Sequence, residues 1–519
     1  MGETTKKGKK GIFTLIFSRI FMFAFMILLQ IIFLCALVFN VNENLQIFFT
    51  LIDILSFLLV IYIVSERGTD PTMKLIWVVM ILAIPVFGSL MYIYVKFQLN
   101  SLILKKRIEN INEITGGYLA PDRELYRKLK NEDASTYGLA SYLYDYTGYP
   151  LYENTSVKYF PSGEEKYKCL LEELEKAEKF IFLEYFIIEE GEMWNSVLSI
   201  LERKQKEGVE VRVMYDGMCS LIQLPVGYFK KLRKKGIQCK AFSPMRPFVS
   251  THQNNRDHRK IVVIDGIVAF TGGINLADEY INVKKRFGHW KDVAVMLKGD
   301  ATKAFTLMFL KMWNIDSKTV EYFDKYIDVP KVSIENPEGY FLGYADEPFD
   351  KENVGESVYV HLLNTATRYV HIVTPYLVID NVVMGALKYA AKRGVEVVIL
   401  LPGIPDKSYA FCVARTYYKE LIEAGVKIYE YTPGFTHAKM FVVDDKHATV
   451  GTINLDYRSL YLHFECGVFI TNNSEITCME DDYQKMLKKS RAISMSECRN
   501  RPLYYKAAGK ILRLIAPLL

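Results

Sequence analysis

The chain has no Cys-x-x-Cys pair. Its eight cysteines, Cys35, Cys169, Cys219, Cys239, Cys412, Cys466, Cys478 and Cys498, are scattered, so neither a zinc ribbon nor a dithiol redox centre organises it. It also lacks a charge excess: 65 basic against 59 acidic residues leave only +6, too balanced to mark a nucleic-acid binder. A small-x-small cleavage site is missing as well. Leu34 precedes Cys35 at the end of the first apolar run, so that run reads as a retained span rather than a removable signal.

Long apolar runs are what the first part of the chain does have. After a Lys-rich start at residues 6–10 and Arg19, Ile20 to Phe39 carries no charge. A helix of that length covers the ~30 Å of a bilayer core. A second apolar stretch runs over 45–64, interrupted by Asp53, and a third over 75–95, with Pro85 and Gly88 inside it. A carboxylate in lipid is costly, so Asp53 is expected against protein or an interface. The basic start places the N-terminus inside, and three full crossings would then put the rest of the chain outside. Lys96, Lys105, Lys106 and Arg107 argue instead for inside, and a re-entrant or shallow hairpin made of the second and third stretches, with a break that Pro85 and Gly88 permit, reconciles the two. The reading is a multi-pass membrane anchor over residues 1–96, with a connector over 97–155. Asn154 opens a glycosylation sequon that nothing else in the chain supports.

From residue 156 an α/β rhythm begins, and it occurs twice. Helical spacing at 163–179 and 196–208 alternates with apolar strand runs at 180–188 and 209–217. Helices at 357–367 and 381–394 alternate with strands at 369–377 and 395–403. The expected fold is α/β: two pseudo-symmetric modules, 156–335 and 336–519, with mixed, largely parallel sheets flanked by helices.

Each module carries the same pattern, His-x-Lys-x4-Asp followed by a small-residue pair and an Asn. The first copy is His258, Lys260, Asp265, Gly272-Gly273 and Asn275; the second is His437, Lys439, Asp444, Gly451-Thr452 and Asn454. The Asn follows the His by 17 residues both times, and the copies lie 179 residues apart. A lone His-x-Lys carries little information, but two long patterns in one register are an internal repeat. His252, His289, His361, His371, His447 and His463 lack such a context and read as decorative.

His and Lys two apart on a strand share a face. Asp265 and Asp444 lie an odd five residues beyond their lysines. Although they belong to the motif's catalytic set by spelling, alternation turns them to the opposite face, as structural partners at the strand end. Gly273 and Thr452 are expected to let the backbone approach a phosphate, with Asn275 and Asn454 adding donors. Two imidazoles suit substitution at phosphorus: one attacks, and the other moves the proton of the alcohol. Two lysines and two asparagines oppose the charge on the non-bridging oxygens, so no metal or cofactor is required. Each imidazole also needs a partner to hold its tautomer. Asp292 and Glu465, each just before an apolar run, are the candidates.

With these residues in place, the chain resembles the phospholipase D superfamily, and more closely the bacterial-type cardiolipin synthases. The likeness covers most of the chain from residue 45, including DHRKIVVIDGIVAFTGGINLADEY, HWKDVAVMLKG, TPYLVID, LIEAGVKIYEYTPGFTHAK, NLDYRS and the terminal LRLIAPLL. The resemblance implies condensation of two phosphatidylglycerols to cardiolipin and glycerol, through a phosphatidyl-histidine and without a cofactor. It implies His258 as nucleophile and His437 as acid/base, with lipid as partner and a bilayer surface as the working place. A span at 20–39 precedes the usual pair, and Thr452 stands where Ser is commoner. Rival readings are a hydrolytic phospholipase D, a phosphatidyltransferase with another acceptor, a nuclease, and a non-enzymatic scaffold. The C-terminal KAAGKILRLIAPLL (506–519) reads either as an amphipathic membrane contact or as a helix packed on the catalytic part.

Overall fold

A computed structural model describes residues 19–38, 43–66, 71–96, 99–218, 223–225, 227–243, 255–317, 319–350, 352–514 and 516. The basic start at 6–10 and His252 lie outside the described residues. The chain divides into two compact units, essentially residues 1–106 and 107–517 with short exchanges.

In the first unit, helices span Arg19–Val38, Glu43–Ser65, Pro71–Ala83 and Pro85–Lys96. One stretch, Ile47–Ser65, is a helix long and apolar enough to cross a bilayer, and Phe23–Cys35 and Pro71–Ala83 are shorter apolar helices. The run at 75–95, expected as one span, is a helical hairpin instead. Pro85 has no N–H and disfavours helical geometry at Ile84, so the helix stops there. The chain then folds back closely, because a Cβ on Gly88 would collide with the backbone of Ile81. Trp77 and Tyr92 meet across the hairpin with ring centroids 5.3 Å apart. Gln30 Oε1 accepts the freed N–H groups of Val86 and Phe87, both at 3.1 Å. Neither arm, 13 and 12 residues long, reaches across a ~30 Å hydrocarbon layer. Asp53 is exposed rather than packed on a neighbouring helix.

The second unit holds nineteen described strands. The first module contributes β1 (Thr155–Phe160), β2 (Phe180–Tyr185), β3 (Glu210–Asp216), β4 (Gln238–Phe242), β5 (Lys260–Ile264), β6 (Val268–Gly272), β7 (His289–Lys291) and β8 (Ala294–Gly299). The second contributes β9 (Tyr340–Asp346), β10 (Tyr369–Val373), β11 (Leu377–Val378), β12 (Glu396–Pro402), β13 (Lys427–Tyr431) and β14 (Gly434–Thr436). It continues with β15 (Met440–Val443), β16 (His447–Gly451), β17 (Leu455–Asp456), β18 (Glu465–Thr471) and β19 (Ser490–Ala492). The sheets run β1-β8-β6-β5-β2-β3-β4 and β9-β18-β16-β15-β10-β12-β13-β19. Strand for strand the order is the same, with β19 added at one edge, so the duplication extends from the motif to the whole sheet.

Both sheets are mixed, but mainly antiparallel rather than largely parallel. Only β2-β3-β4 and β10-β12-β13 run parallel. The motif strands cause this, because each turns back on itself as a hairpin: β5 pairs antiparallel with β6 and with β2, and β15 with β16 and with β10. The turns hold positive φ at both central residues, 54° and 69° at Asp265 and Gly266, 56° and 59° at Asp444 and Asp445. Those angles match the right-handed twist of the flanking strands. Helices flank the sheets, and Thr302–Asn314 is buried along its whole length against strands of both modules. Apolar residues of β2, β3 and β5 and the helices Gly163–Glu175 and Glu192–Lys206 form the core of the first module.

Candidate active site

The motif strands enter the site through short extensions that cross into the other module. The His258 N–H donates to Phe464 O at 2.9 Å, and the Phe464 N–H donates back to Arg256 O at 2.8 Å. In the matching place the His437 N–H donates to Lys291 O at 2.7 Å, extending the parallel pairing of β14 with β7. Each histidine is thus clamped beside the residue preceding the other module's carboxylate. His258 Nδ1 lies 2.9 Å from both Glu465 oxygens. His437 Nδ1 lies 2.8 Å from Asp292 Oδ2. The carboxylates are the two expected from the sequence; that each serves the opposite module's histidine emerges only from the fold. With Nδ1–H given to a carboxylate, each imidazole keeps Nε2 unpartnered among the described residues, with its lone pair free.

The lysines repeat the symmetry. Lys260 Nζ donates to His258 O at 2.6 Å, and Lys439 Nζ donates to His437 O. All four groups are buried. Lys260 feels both Glu465 and Asp292, and His437 feels both lysines, so the two motifs form one charge cluster.

Asp265 and Asp444 stand apart from this cluster, and their place in the catalytic set is corrected to an anchoring one. Asp265 accepts the N–H groups of Glu178, Lys179 and Phe180 at 2.7–2.8 Å, at the start of β2. Asp444 accepts those of Thr367, Arg368 and Tyr369 at 2.6–2.8 Å, before β10. Replacing Asp265 with Ala orphans three donors and places a Cβ-bearing residue without a capping side chain at positive φ. We expect a loss of roughly 3 kcal/mol in stability, measured by denaturant unfolding, with activity per folded molecule retained.

Gly273 and Thr452 also need correcting. Their N–H groups are not open to a phosphate, because they donate to Val293 O at 3.0 Å and Cys466 O at 2.9 Å. Both positions serve the carboxylates instead. A Cβ on Gly273 would run into the Asp292 carboxylate, which passes over it toward His437. In the second module the longer Glu465 arrives, and the Thr452 hydroxyl donates to it. Asn275 is partly engaged: its Oδ1 accepts from Ile187 N at 3.0 Å and its Nδ2 donates to Tyr280 OH at 2.6 Å. That leaves one Nδ2 hydrogen. Asn454 Oδ1 is buried without a partner.

The sequence and the fold match known proteins. A family model described as cardiolipin synthase, PLD-like domain, covers residues 170–313 and 359–487. A phospholipase D-nuclease N-terminal model covers residues 54–96. A cardiolipin synthase of Alkalihalophilus pseudofirmus is 34% identical over 471 residues, 90% of this chain and 92% of that one. The chain belongs to the cardiolipin synthase family. An uncharacterized protein of Streptococcus mutans is 49% identical over 460 residues, 89% of this chain and 99% of its own. The crystal structure of a phosphatidylserine synthase from Haemophilus influenzae superposes with a TM-score of 0.56 at 12% identity, over 75% of this chain and all of that one. This last likeness is one of fold.

Within this family site, His463 belongs to the surroundings of His258, against its reading as decorative. It is buried, its ring centroid is 5.6 Å from that of His258, and its Nδ1 is 3.5 Å from Glu465. Trp290 holds the matching place beside His437, with centroids also 5.6 Å apart. Both precede their carboxylate by two residues. Strand alternation from Asp292 and Glu465 therefore carried the signal. Among the described residues, His258, His463 and Glu465 are the one group whose donor atoms converge as a metal would need, all within 4.8 Å. In the site, however, Glu465 already accepts from His258 and Thr452.

Burial sets the protonation states. It lowers the His258 imidazole well below its ordinary range and pushes His437 down to about 4, against the pull of Glu465 and Asp292. Burial alone would raise the two carboxylates, but their histidine partners hold both below the usual range. The site at neutral pH therefore has neutral imidazoles on charged carboxylates. Burial also pushes Lys260 down to about 8 and Lys439 to about 7. If the cationic lysines bind the anionic substrate, kcat/KM, which reports the free enzyme, falls as pH rises through 7 to 8. A pH profile that rises steadily over that interval would contradict this assignment.

Proposed function

We propose that the chain joins two phosphatidylglycerol molecules into cardiolipin with release of glycerol. The observation that carries the proposal is the pair of crossed imidazole–carboxylate contacts sharing one lysine-rich cluster. His258 Nε2 attacks the phosphorus of the first lipid, the bond to glycerol oxygen breaks, and His437 supplies the proton that glycerol takes away. The arriving phosphodiester anion favours the protonated His437 that this step needs. The free hydroxyl of the second lipid then gives its proton to His437 and attacks phosphorus. The P–N bond breaks and His258 is restored. Lys260, Lys439, Asn275 and Asn454 oppose the charge on the non-bridging oxygens. One phosphodiester replaces another, so no nucleotide is consumed.

The modules at 156–335 and 336–519 supply one half-site each, and residues 1–96 hold the enzyme in the bilayer. Two crossings, at 20–39 and 45–64, followed by a hairpin at 75–95 that dips and returns, keep the catalytic part on the side of the basic N-terminus, the cytoplasmic side. A lipid-lined site supplies alcohol in place of water, which favours transfer over hydrolysis. The test is purified chain in phosphatidylglycerol nanodiscs, with products resolved by mass spectrometry. Cardiolipin and glycerol in equal amounts are expected. Phosphatidic acid without cardiolipin would replace this reading with a hydrolytic one.

A further inference from the structure

A cavity of about 560 Å3 lies between helix Ser408–Glu423, helix Met495–Arg499 and the C-terminal helix Leu503–Leu514, and shares no residue with the active site. Its size suits a small polar group. Of its thirteen lining residues, seven are Arg or Lys and none is acidic, so its ligand is an anion. Arg415 is neutralised by Glu430 at 3.0 Å and Lys419 pairs with Glu423 at 3.7 Å. Among the described residues the other five, Arg499, Arg501, Lys506, Lys510 and Arg513, have no carboxylate partner.

The C-terminal helix gives this cavity its setting. At 100° per residue it has three faces. Gly509 packs it on the catalytic part, where a Cβ would press on Thr416 and Cys412. Lys506, Lys510 and Arg513 form the next face and line the cavity. Leu503, Tyr504, Ile511 and Leu514 form the third, and they are 82%, 76%, 63% and 61% exposed. Single exposed apolar side chains are ordinary. A stripe of four beside unpaired cations is the pattern of a helix lying in a bilayer interface. The Gly509 face meets the packing reading of this segment, and the exposed stripe is what a membrane contact would need.

We propose that this cavity binds the phosphate-bearing headgroup of an acidic membrane phospholipid, while the apolar stripe enters the acyl boundary beside it. The site docks the catalytic part on an anionic bilayer face, and does so independently of the reaction proposed above. The test uses the full chain in nanodiscs of phosphatidylcholine with increasing phosphatidylserine, and reads deuterium uptake of peptides within Met495–Leu514. Uptake is expected to fall as phosphatidylserine increases. The side chains of Arg499 and Lys510 are exposed and hold no hydrogen bond or ion pair among the described residues, so an Arg499→Gln/Lys510→Gln chain should fold normally. It should need roughly 30-fold more acidic lipid for the same protection, from ~1 kcal/mol per surface cation. Uptake indifferent to phosphatidylserine, or equal in the variant, would overturn the site. Equal protection by inorganic phosphate in pure phosphatidylcholine would overturn the lipid as its occupant. A His437→Ala chain, expected to be inactive, should show wild-type protection, so failure of catalysis and failure of docking give different results.

Discussion

A chain with His258→Ala is expected to make no detectable cardiolipin, a loss on the order of 10,000-fold or more, because the proposed acceptor of the phosphatidyl group is gone. Glu465 keeps the Thr452 hydroxyl as a donor, so the variant should still fold and enter membranes. His437→Ala should cost roughly 100- to 10,000-fold, the range for a lost general acid and base. The two losses should not multiply in the double variant, since both residues serve one sequence of steps. The check is cardiolipin formation from radiolabelled phosphatidylglycerol, with circular dichroism to confirm folding. Activity within ten-fold of normal in either single variant would rule out a shared site.

Glu465→Gln should fall nearly as far as His258→Ala, on the order of 1,000- to 10,000-fold, although the two residues are 207 positions apart. The carboxylate fixes the His258 tautomer with Nδ1–H inward and Nε2 free, and it stabilises positive charge on the ring. An amide can present N–H in place of an acceptor and invert that tautomer. Asp292→Asn should act in the same way on His437, across the interface in the opposite direction. Because each module's carboxylate completes the other's histidine, neither half alone should have activity. A modest loss in Glu465→Gln with a severe one in His258→Ala would mean that the crossed contact is packing rather than orientation.

Several of these features were readable from residue spacing. His and Lys two apart share a strand face, and the odd spacing of Asp265 and Asp444 separates them from the chemistry. Both follow from local alternation, which needs no knowledge of partners. The crossing of Glu465 to His258 and Asp292 to His437 depends on how two sheets meet, which no window of sequence contains. The roles of Gly273 and Thr452 are hidden for a related reason. A small residue beside a catalytic strand suits either a phosphate or a neighbouring side chain, and only the path of Asp292 and Glu465 distinguishes them. The β-α rhythm dominates the sequence pattern and points to largely parallel sheets, while the hairpin connections at 265–267 and 444–446 are only three residues wide. In the N-terminal unit, hydropathy runs evenly through 75–95, yet Pro85 and Gly88 decide that the chain turns back.

The most direct measurement is to trap the intermediate. Full chain mixed with phosphatidylglycerol should release glycerol in a burst matching the enzyme concentration. After rapid quenching at alkaline pH, where phosphoramidates persist, peptide mass spectrometry should locate one phosphatidyl group on His258. The group should be absent from His258→Ala. Label on His437 instead, or cardiolipin formed with no glycerol burst and no labelled histidine, would contradict the account.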